Sequence, residues 1–428
     1  MTLKFPGSNE PRYVRGFAFP GFEIAPNTTQ VWLLGIGLGV LYAIAIAMSQ
    51  SGGVQGDETY HYAQIKLFLR GDFRVLSQYL TTIPGYHAAV AAGLWLTGTD
   101  SLGAARTLTA LVGLVAAAGF HSLRRSLWPG TEALATAQFL ALPILAPFFF
   151  LVYTDVLALA LLLWALVGTN AGRHGWSALA LVGVLLVRQN EIVWAGFAVM
   201  LAAWPVLRTR SLPAGRELAG RLWPYVLPIF AFCAFWIVNG TISLSHEQAV
   251  MHPLTLRLGN PYFALLLAGL VLPLHAIAGL RDFAGSVRKR PWLLAIPLGV
   301  FALYWWGFHA DNPYNLVAPE VYPRNGLLLH LEHDTMWRAG AGIVIVLAAC
   351  GLATTRLRPP AAVWLYPFAA LFLASSWLIE QRYALVPLVL WLAFREHRGR
   401  AIEYATLALW LVAAVCIFLA VNAGRFSL

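Results

Sequence analysis

The sequence predicts an all-α polytopic membrane protein with about 13 transmembrane helices and an outward first loop carrying interfacial helices. Three observations carry that prediction. Of the 428 residues, 59% are hydrophobic and only 11% are charged, where a soluble domain is about a quarter charged. Apolar runs recur along the whole chain, each near the length of about 20 residues that a helix needs to cross a bilayer. The charges between the runs are sorted by sign, as the positive-inside rule demands. A water-soluble fold is excluded. The formal charge of +10 then reflects membrane sidedness, and no nucleic-acid partner is expected.

The first thirty residues carry Lys4, Arg12 and Arg15 but no early apolar stretch with a small-residue cleavage site, so the run at 31–49 is expected to be a retained span. Residues 50–83 turn polar and aromatic and predict a loop with interfacial helices. The piece from Tyr86 to Leu96 is interrupted by Gly93 and too short to cross, which makes it re-entrant or interface-lying. Further runs lie at 102–121, 132–152, 155–169, 176–188, 190–207, 222–242, 261–280, 291–308, 338–355, 361–378, 383–395 and 401–423. With the amino terminus inside, 19 of the 29 basic residues fall on one side, among them Arg124, Arg125, Arg210, Arg281, Arg356, Arg395 and Arg398, and 12 of the 19 acidic residues fall on the other. Counting 86–96 as a span would mix the two sets. No internal repeat is visible, so residues 1–428 are expected to form a single multi-pass domain with an outward catalytic loop at about 50–101.

Chemistry is expected on the outward side, because the inside loops are plain basic connectors while the outside loops concentrate acidic, His, Asn and Arg residues. Gly56-Asp57-Glu58-Thr59-Tyr60-His61 sets two adjacent carboxylates just beyond a span, where a general base could take a proton from a hydroxyl. A solvated loop with Asp57 as a helix N-cap is the plainer reading, and the choice between Asp57 and Glu58 stays open. Thr81-Thr82-Ile83-Pro84-Gly85 combines helix-start residues with a turn. Asp155 follows Tyr153-Thr154 where two spans meet, and either caps the second span or orients an acceptor. Arg188-Gln189-Asn190-Glu191 interrupts an otherwise apolar stretch and must face a cavity, a partner or the interface. Ser245-His246-Glu247 and His309-Ala310-Asp311-Asn312 each follow a span. There His can shuttle a proton and Asp and Asn can grip sugar hydroxyls, or the second string is an ordinary turn. In Glu380-Gln381-Arg382-Tyr383, Arg382 offers a planar fork for a phosphate, or simply pairs with Glu380.

Phosphate-binding glycine loops, dinucleotide fingerprints, serine elbows and zinc patterns are missing from the sequence. Cys233, Cys350 and Cys416 lie inside apolar runs without paired spacing. Neither a metal nor a cofactor is expected. An outward site has no access to cytoplasmic nucleotides, which points to an activated group delivered on a polyprenyl carrier.

The strings GDETYHYAQ (56–64), GDF (71–73), TTIPG (81–85), YTD (153–155), RQNEIVW (188–194), SHEQA (245–249), HADN (309–312) and EQRY (380–383), in this order, resemble the dolichyl-phosphate-glucose α-1,2-glucosyltransferase family of the GT-C superfamily. The resemblance implies inverting, metal-independent transfer of a hexose, glucose foremost, from a polyprenyl- or dolichyl-phosphate donor to a lipid-linked glycan or glycolipid. It implies Asp57 and Glu58 as catalytic candidates, with Asp57 as the base, and His61, Arg188, Gln189, His246, Glu247, Arg382 and Tyr383 around the donor. Thr82, Asp155, Glu191, Asp311 and Asn312 are then expected around the acceptor. The chain departs from the family's R-Q-T-N at Asn190-Glu191, and from the basic residue and His that follow A-D-N at Pro313-Tyr314. Arg outnumbers Lys 26 to 3, which suggests a bacterial relative, with the site facing outward from the inner membrane; an endoplasmic reticulum membrane with a lumenal site is the alternative. A transporter or flippase of lipid-linked glycans would instead place charges at mid-span in two matching halves, and a glycan polymerase or ligase would show a large arginine-rich outer loop.

Overall fold

The structure is a computed structural model that describes residues 28–208, 214–250, 253 and 255–427. Lys4, Arg12, Arg15 and Arg210 of the charge sorting lie outside the described residues. Among the described residues all regular structure is helical, apart from one isolated antiparallel bridge between Leu357 and Arg395. The all-α polytopic class read from the sequence is the one observed.

The first long apolar helix is α1 (Thr28–Ser49). The polar loop after it folds into α2 (Glu58–Leu69) and α3 (Gly85–Thr97); Gly98, at φ +67°, ends α3 in the left-handed region. Five helices follow: α4 (Leu102–Leu127), α5 (Glu132–Ala141), α6 (Asp155–Asn170), α7 (His174–Val187) and α8 (Ile192–Leu207). Next come α9 (Ala214–Leu222), α10 (Val226–Asn239) and the one-turn α11 (His246–Ala249). The carboxy-terminal half adds α12 (Gly259–Val271), α13 (Pro273–Lys289), α14 (Ala295–Gly307), α15 (Pro323–His333), α16 (Thr335–Ala353), α17 (Leu365–Ala374), α18 (Leu385–Phe394) and α19 (Arg400–Asn422).

Six stretches are helices long and apolar enough to cross a membrane: Trp32–Ser49, Leu102–Leu127, Gln189–Leu207, Gly215–Asn239, Thr335–Ala353 and Arg400–Asn422. The pair α12–α13 adds a seventh if counted as one span, and five further apolar helices have 10–17 residues. Two of the expected runs are not single straight helices. The run at 132–152 stops at Ala141 and resumes as a 3₁₀ turn over Ala146–Phe150, because Pro143 and Pro147 remove backbone donors and clash with the preceding turn. The run at 261–280 bends by 101° between Val271 and Pro273. Helix α15 lies in none of the expected runs.

The distribution of polarity is that of a lipid-embedded protein. Trp32, Ile237, Val238 and Leu298 stand exposed, while Glu58, Arg106, Arg124, Arg395 and Glu403 are buried. Exposed apolar surface of this extent needs lipid around it, and charge inside needs partners. Small residues let the helices approach: Gly113 of α4 admits Phe149, and Gly119 admits Trp164. Helix α4 is anchored at both ends. Near its start Arg106 reaches Glu58, and near its finish Arg124 donates to the carbonyls of Ala393 (3.1 Å) and Arg395. These anchors are about 27 Å apart at 1.5 Å per residue, and they define two opposite ends of the molecule.

Candidate active site

Two adjacent carboxylates at the start of α2 take opposite directions, since neighbouring residues on a helix are about 100° apart. Glu58 turns into the core and is fully buried. Its Oε1 accepts from Arg106 Nε (2.9 Å) and Val152 N (2.8 Å), and its Oε2 from Gln55 N (2.9 Å). Arg106 also donates to the carbonyls of Ser49, Gly52 and Gly53. Glu58 is thereby corrected from a catalytic candidate to a staple of the 49–58 loop, because both of its oxygens are engaged and no water reaches it. Asp57 occupies the N-cap position without capping. Its side chain is 45% exposed and pairs instead with Arg382, Oδ2 to Nη2 at 2.9 Å.

Arg382 is the hub. It binds Glu380 at 2.7 Å and stacks its guanidinium over the Tyr153 ring at 5.3 Å. The Tyr153 hydroxyl accepts from Asp57 N at 2.9 Å, so one aromatic side chain supports both members of the Asp57–Arg382 pair. Arg324 holds the other oxygen of Glu380 at 2.8 Å, closing a chain of charges Arg324–Glu380–Arg382–Asp57. Burial pushes the Glu380 carboxyl up, but Arg382 and Arg324 outweigh it and hold the group at about 2.

A second charged group lies alongside. Arg188 binds Asp155 at 2.7 Å and Glu191 at 3.5 Å, all three nearly buried. Asp155 therefore neither caps α6 nor stands free, and Glu191 is turned toward Arg188. His61 lies close enough to both arginines to feel them. Burial first, then Arg382 and Arg188, lower it to about 3, which keeps the imidazole neutral. Its Nδ1 lies 2.9 Å from His87 Nε2, and burial likewise lowers His87 well below the ordinary histidine value.

A cavity of about 370 Å³ is reached from these groups by Arg188 and by Tyr383, the neighbour of Arg382; Asp57, Arg382 and His61 do not line it. Ile192, Val193, Phe232, Trp236, Leu371 and Phe372 line its apolar wall, and Thr81, Thr82, Arg188, Ser243, Ser375, Ser376 and Tyr383 give its polar side. Thr82 Oγ1 and Ser243 Oγ are buried there without a hydrogen-bond partner among the described residues. Gln189 also lines the cavity, and both N–H groups of its amide are occupied: it donates to the carbonyls of Thr81 and Ile242 and accepts from Ile83 N. Gln189 thereby clamps the 81–83 loop to the 242 loop.

The remaining candidates have other surroundings. His246 and Glu247 are exposed on α11. Asp311 is exposed and holds Arg257 (3.3 Å) and Trp377 Nε1 (2.8 Å). Asn312 is fully buried and its side chain accepts from Tyr314 N at the start of a short turn. Sequence reasoning missed Arg106, His87 and Arg324. The first could have been found as a lone charge inside the apolar run at 102–121, where an unpaired arginine is costly.

Acid should loosen this arrangement. His61 titrates near 6.5 when unfolded and at about 3 when folded, so unfolded chains bind more protons in between and stability rises with pH across that window. Glu380, at about 2 folded against 4.5 unfolded, acts in the same direction. The stabilisation is complete above about pH 6.5 and is lost as pH falls toward the folded values. Thermal unfolding in detergent at pH 7, 5 and 4 should show a falling midpoint, and a midpoint that holds steady or rises would contradict the arrangement.

The DIE2/ALG10 family model matches residues 55–217, the stretch that contains α2, α4, Tyr153 and Arg188. The curated mouse protein Dol-P-Glc:Glc(2)Man(9)GlcNAc(2)-PP-Dol α-1,2-glucosyltransferase is 26% identical over 78% of this chain and 82% of its own length. Its Drosophila melanogaster counterpart is 25% identical over 90% and 94%. The solved structure of ArnT from Cupriavidus metallidurans in the apo state is similar with a TM-score of 0.44 at 15% identity, covering 90% of this chain and 78% of that one. The resemblance read from the short strings is therefore supported: the family model matches the stretch that holds α2, α4, Tyr153 and Arg188, and the curated α-1,2-glucosyltransferases are similar along most of the chain.

Proposed function

We propose that the protein is a polytopic glycosyltransferase that moves a hexose, glucose foremost, from a polyprenyl- or dolichyl-phosphate donor to a hydroxyl of a lipid-linked glycan or glycolipid. The observation that carries this reading is the Asp57–Arg382 pair at 2.9 Å, with Tyr383, next to Arg382 in the chain, and Arg188 lining a cavity that has one apolar wall and one polar side. A polyprenyl phosphate has the same division: an apolar tail and an anionic head.

In the proposed reaction Asp57 removes the proton from the acceptor hydroxyl as that oxygen forms a bond to the anomeric carbon. The bond from this carbon to the phosphate oxygen breaks on the opposite face, its electron pair leaving with the phosphate, and the configuration inverts. Asp57 is suited to the role because only Oδ2 is engaged by Arg382, leaving Oδ1 without a hydrogen-bond partner among the described residues. Departing negative charge calls for cations placed in advance, and Arg382 and Arg188 supply them. Glu380, Asp155 and Glu191 hold those arginines in position. Neutral His61 and Tyr383 face the donor head, and Thr82 offers its unpaired hydroxyl to a sugar. His246 and Glu247 lie in the chain between cavity-lining Ser243 and Pro253 and are assigned to the donor's sugar; Asp311 is assigned to the acceptor. The site faces away from the cytosol, in a bacterial inner membrane.

The purified protein, incubated with a panel of polyprenyl-phosphate sugars and lipid-linked acceptors, should give an acceptor heavier by one hexose in mass spectrometry. Absence of product across the panel, with passage of lipid-linked glycan across vesicles, would replace the enzyme reading by transport. Arg382→Ala should weaken donor binding by about 10- to 100-fold, the effect of losing a hydrogen bond to a charged group. Glu380 keeps Arg324 in that variant, so the fold should persist. Donor affinity equal to wild type would remove Arg382 from the phosphate site.

A further inference from the structure

At the end of the molecule opposite Asp57, a second polar cavity of about 410 Å³ opens between α13, the end of α16 and the 395–398 turn. Arg281, Arg356 and Arg398 line it together with Asp282, Glu396 and His397. Its rear wall is rigid. Arg395, fully buried, is held by Glu403 and Gln138, and the carbonyl of Arg395 is gripped by Arg124 at the far end of α4. The Leu357–Arg395 bridge fixes Arg356 next to this turn. Arg398 is nearly buried, pairs with Asp282 and donates to the hydroxyls of Thr354 (2.8 Å) and Thr355 (3.0 Å).

None of this serves the transfer chemistry: Arg124, which grips this end, lies about 27 Å along α4 from Arg106, which holds the loop that delivers Asp57. Arg281 and Arg356 are exposed and have no ion-pair partner among the described residues. Burial, opposed by Glu403 and reinforced by Arg395 and Arg124, lowers His397 to about 3, so it adds no charge. Three guanidinium groups face two carboxylates, and the lining carries a net single positive charge. Basic pockets between membrane helices at a bilayer surface bind anionic lipid headgroups, and a phosphodiester headgroup carries one negative charge.

We propose that this cavity binds the phosphodiester headgroup of an anionic membrane lipid in the leaflet opposite the transferase site. Arg281 and Arg356 supply the cations that reach the phosphate, and Arg398 with the two threonines forms the floor.

Native mass spectrometry of the full-length protein in detergent tests this. Phosphatidylglycerol should be retained as a bound adduct by the wild-type protein and phosphatidylcholine should not. The double variant Arg281→Ala/Arg356→Ala should lose most of the phosphatidylglycerol adduct. Both residues are exposed, so the variant should fold, and an unchanged thermal midpoint checks that it has. Inorganic phosphate added in excess should compete poorly, because the lipid's acyl chains hold its headgroup at the site; complete displacement by inorganic phosphate would show an anion site without lipid selectivity and overturn the lipid assignment. Equal retention of phosphatidylglycerol by wild type and double variant, or equal retention of phosphatidylcholine and phosphatidylglycerol by wild type, would overturn the proposal as a whole.

Discussion

Asp57→Asn is expected to abolish sugar transfer, lowering kcat by about 10²- to 10⁴-fold, the range over which a positioned general base contributes. The substitution is nearly isosteric. The amide oxygen can still accept from Arg382, and Tyr153 still receives Asp57 N, so the loop and the arginine keep their places. What disappears is the basic oxygen that takes the acceptor's proton. Donor binding, which rests on Arg382, Arg188 and the cavity wall, should remain close to wild type. Single-turnover transfer measured beside equilibrium donor binding separates the two quantities, and near-normal turnover in Asp57→Asn would reject Asp57 as the base.

The largest effect on stability is expected at a residue that touches no substrate. Arg106→Ala should cost about 3–5 kcal/mol, because removing one partner of a buried ion pair leaves the other charge uncompensated. The loss reaches further than the pair itself. Glu58 would be left fully buried with two backbone donors in place of a guanidinium, and the carbonyls of Ser49, Gly52 and Gly53 would lose their donor. Those carbonyls belong to the loop that delivers Asp57, so transfer should fall together with stability. Thermal unfolding in detergent measures the first and the mass-spectrometric assay the second. An Arg106→Ala protein as stable as wild type would mean that the Glu58–Arg106 pair does not organise the loop.

The helical, membrane-embedded class was legible because it depends on composition and run length, which bilayer thickness converts directly into spans. Breaks inside runs were less legible, although Pro143, Pro147 and Pro273 mark the places where helices stop or turn. Asp57 and Arg382 could be singled out from short polar strings, but their mutual contact could not, since nothing local encodes a pairing between the first loop and α18's leading turn. Glu58 shows the sharper limit. Adjacent to Asp57 and chemically almost the same, it differs only in the direction that one helical step imposes, and that direction depends on Arg106 in another helix. Arg324 and His87 were illegible for the same reason: each acts through a partner remote in sequence. Gln189 stood in a conspicuous string, yet its amide serves three backbone groups of neighbouring loops, a use that composition does not reveal.

Anchoring α4 at both ends has a mechanical consequence. The interval between Arg106 and Arg124 is a strut of about 27 Å, close to the roughly 30 Å thickness of a bilayer's hydrocarbon layer. A pinned helix cannot shorten, so a mismatch with a thinner or thicker membrane must be absorbed by tilting or by local deformation of the lipid. Acyl-chain length in the surrounding bilayer thereby becomes a mechanical load on the two arginine anchors.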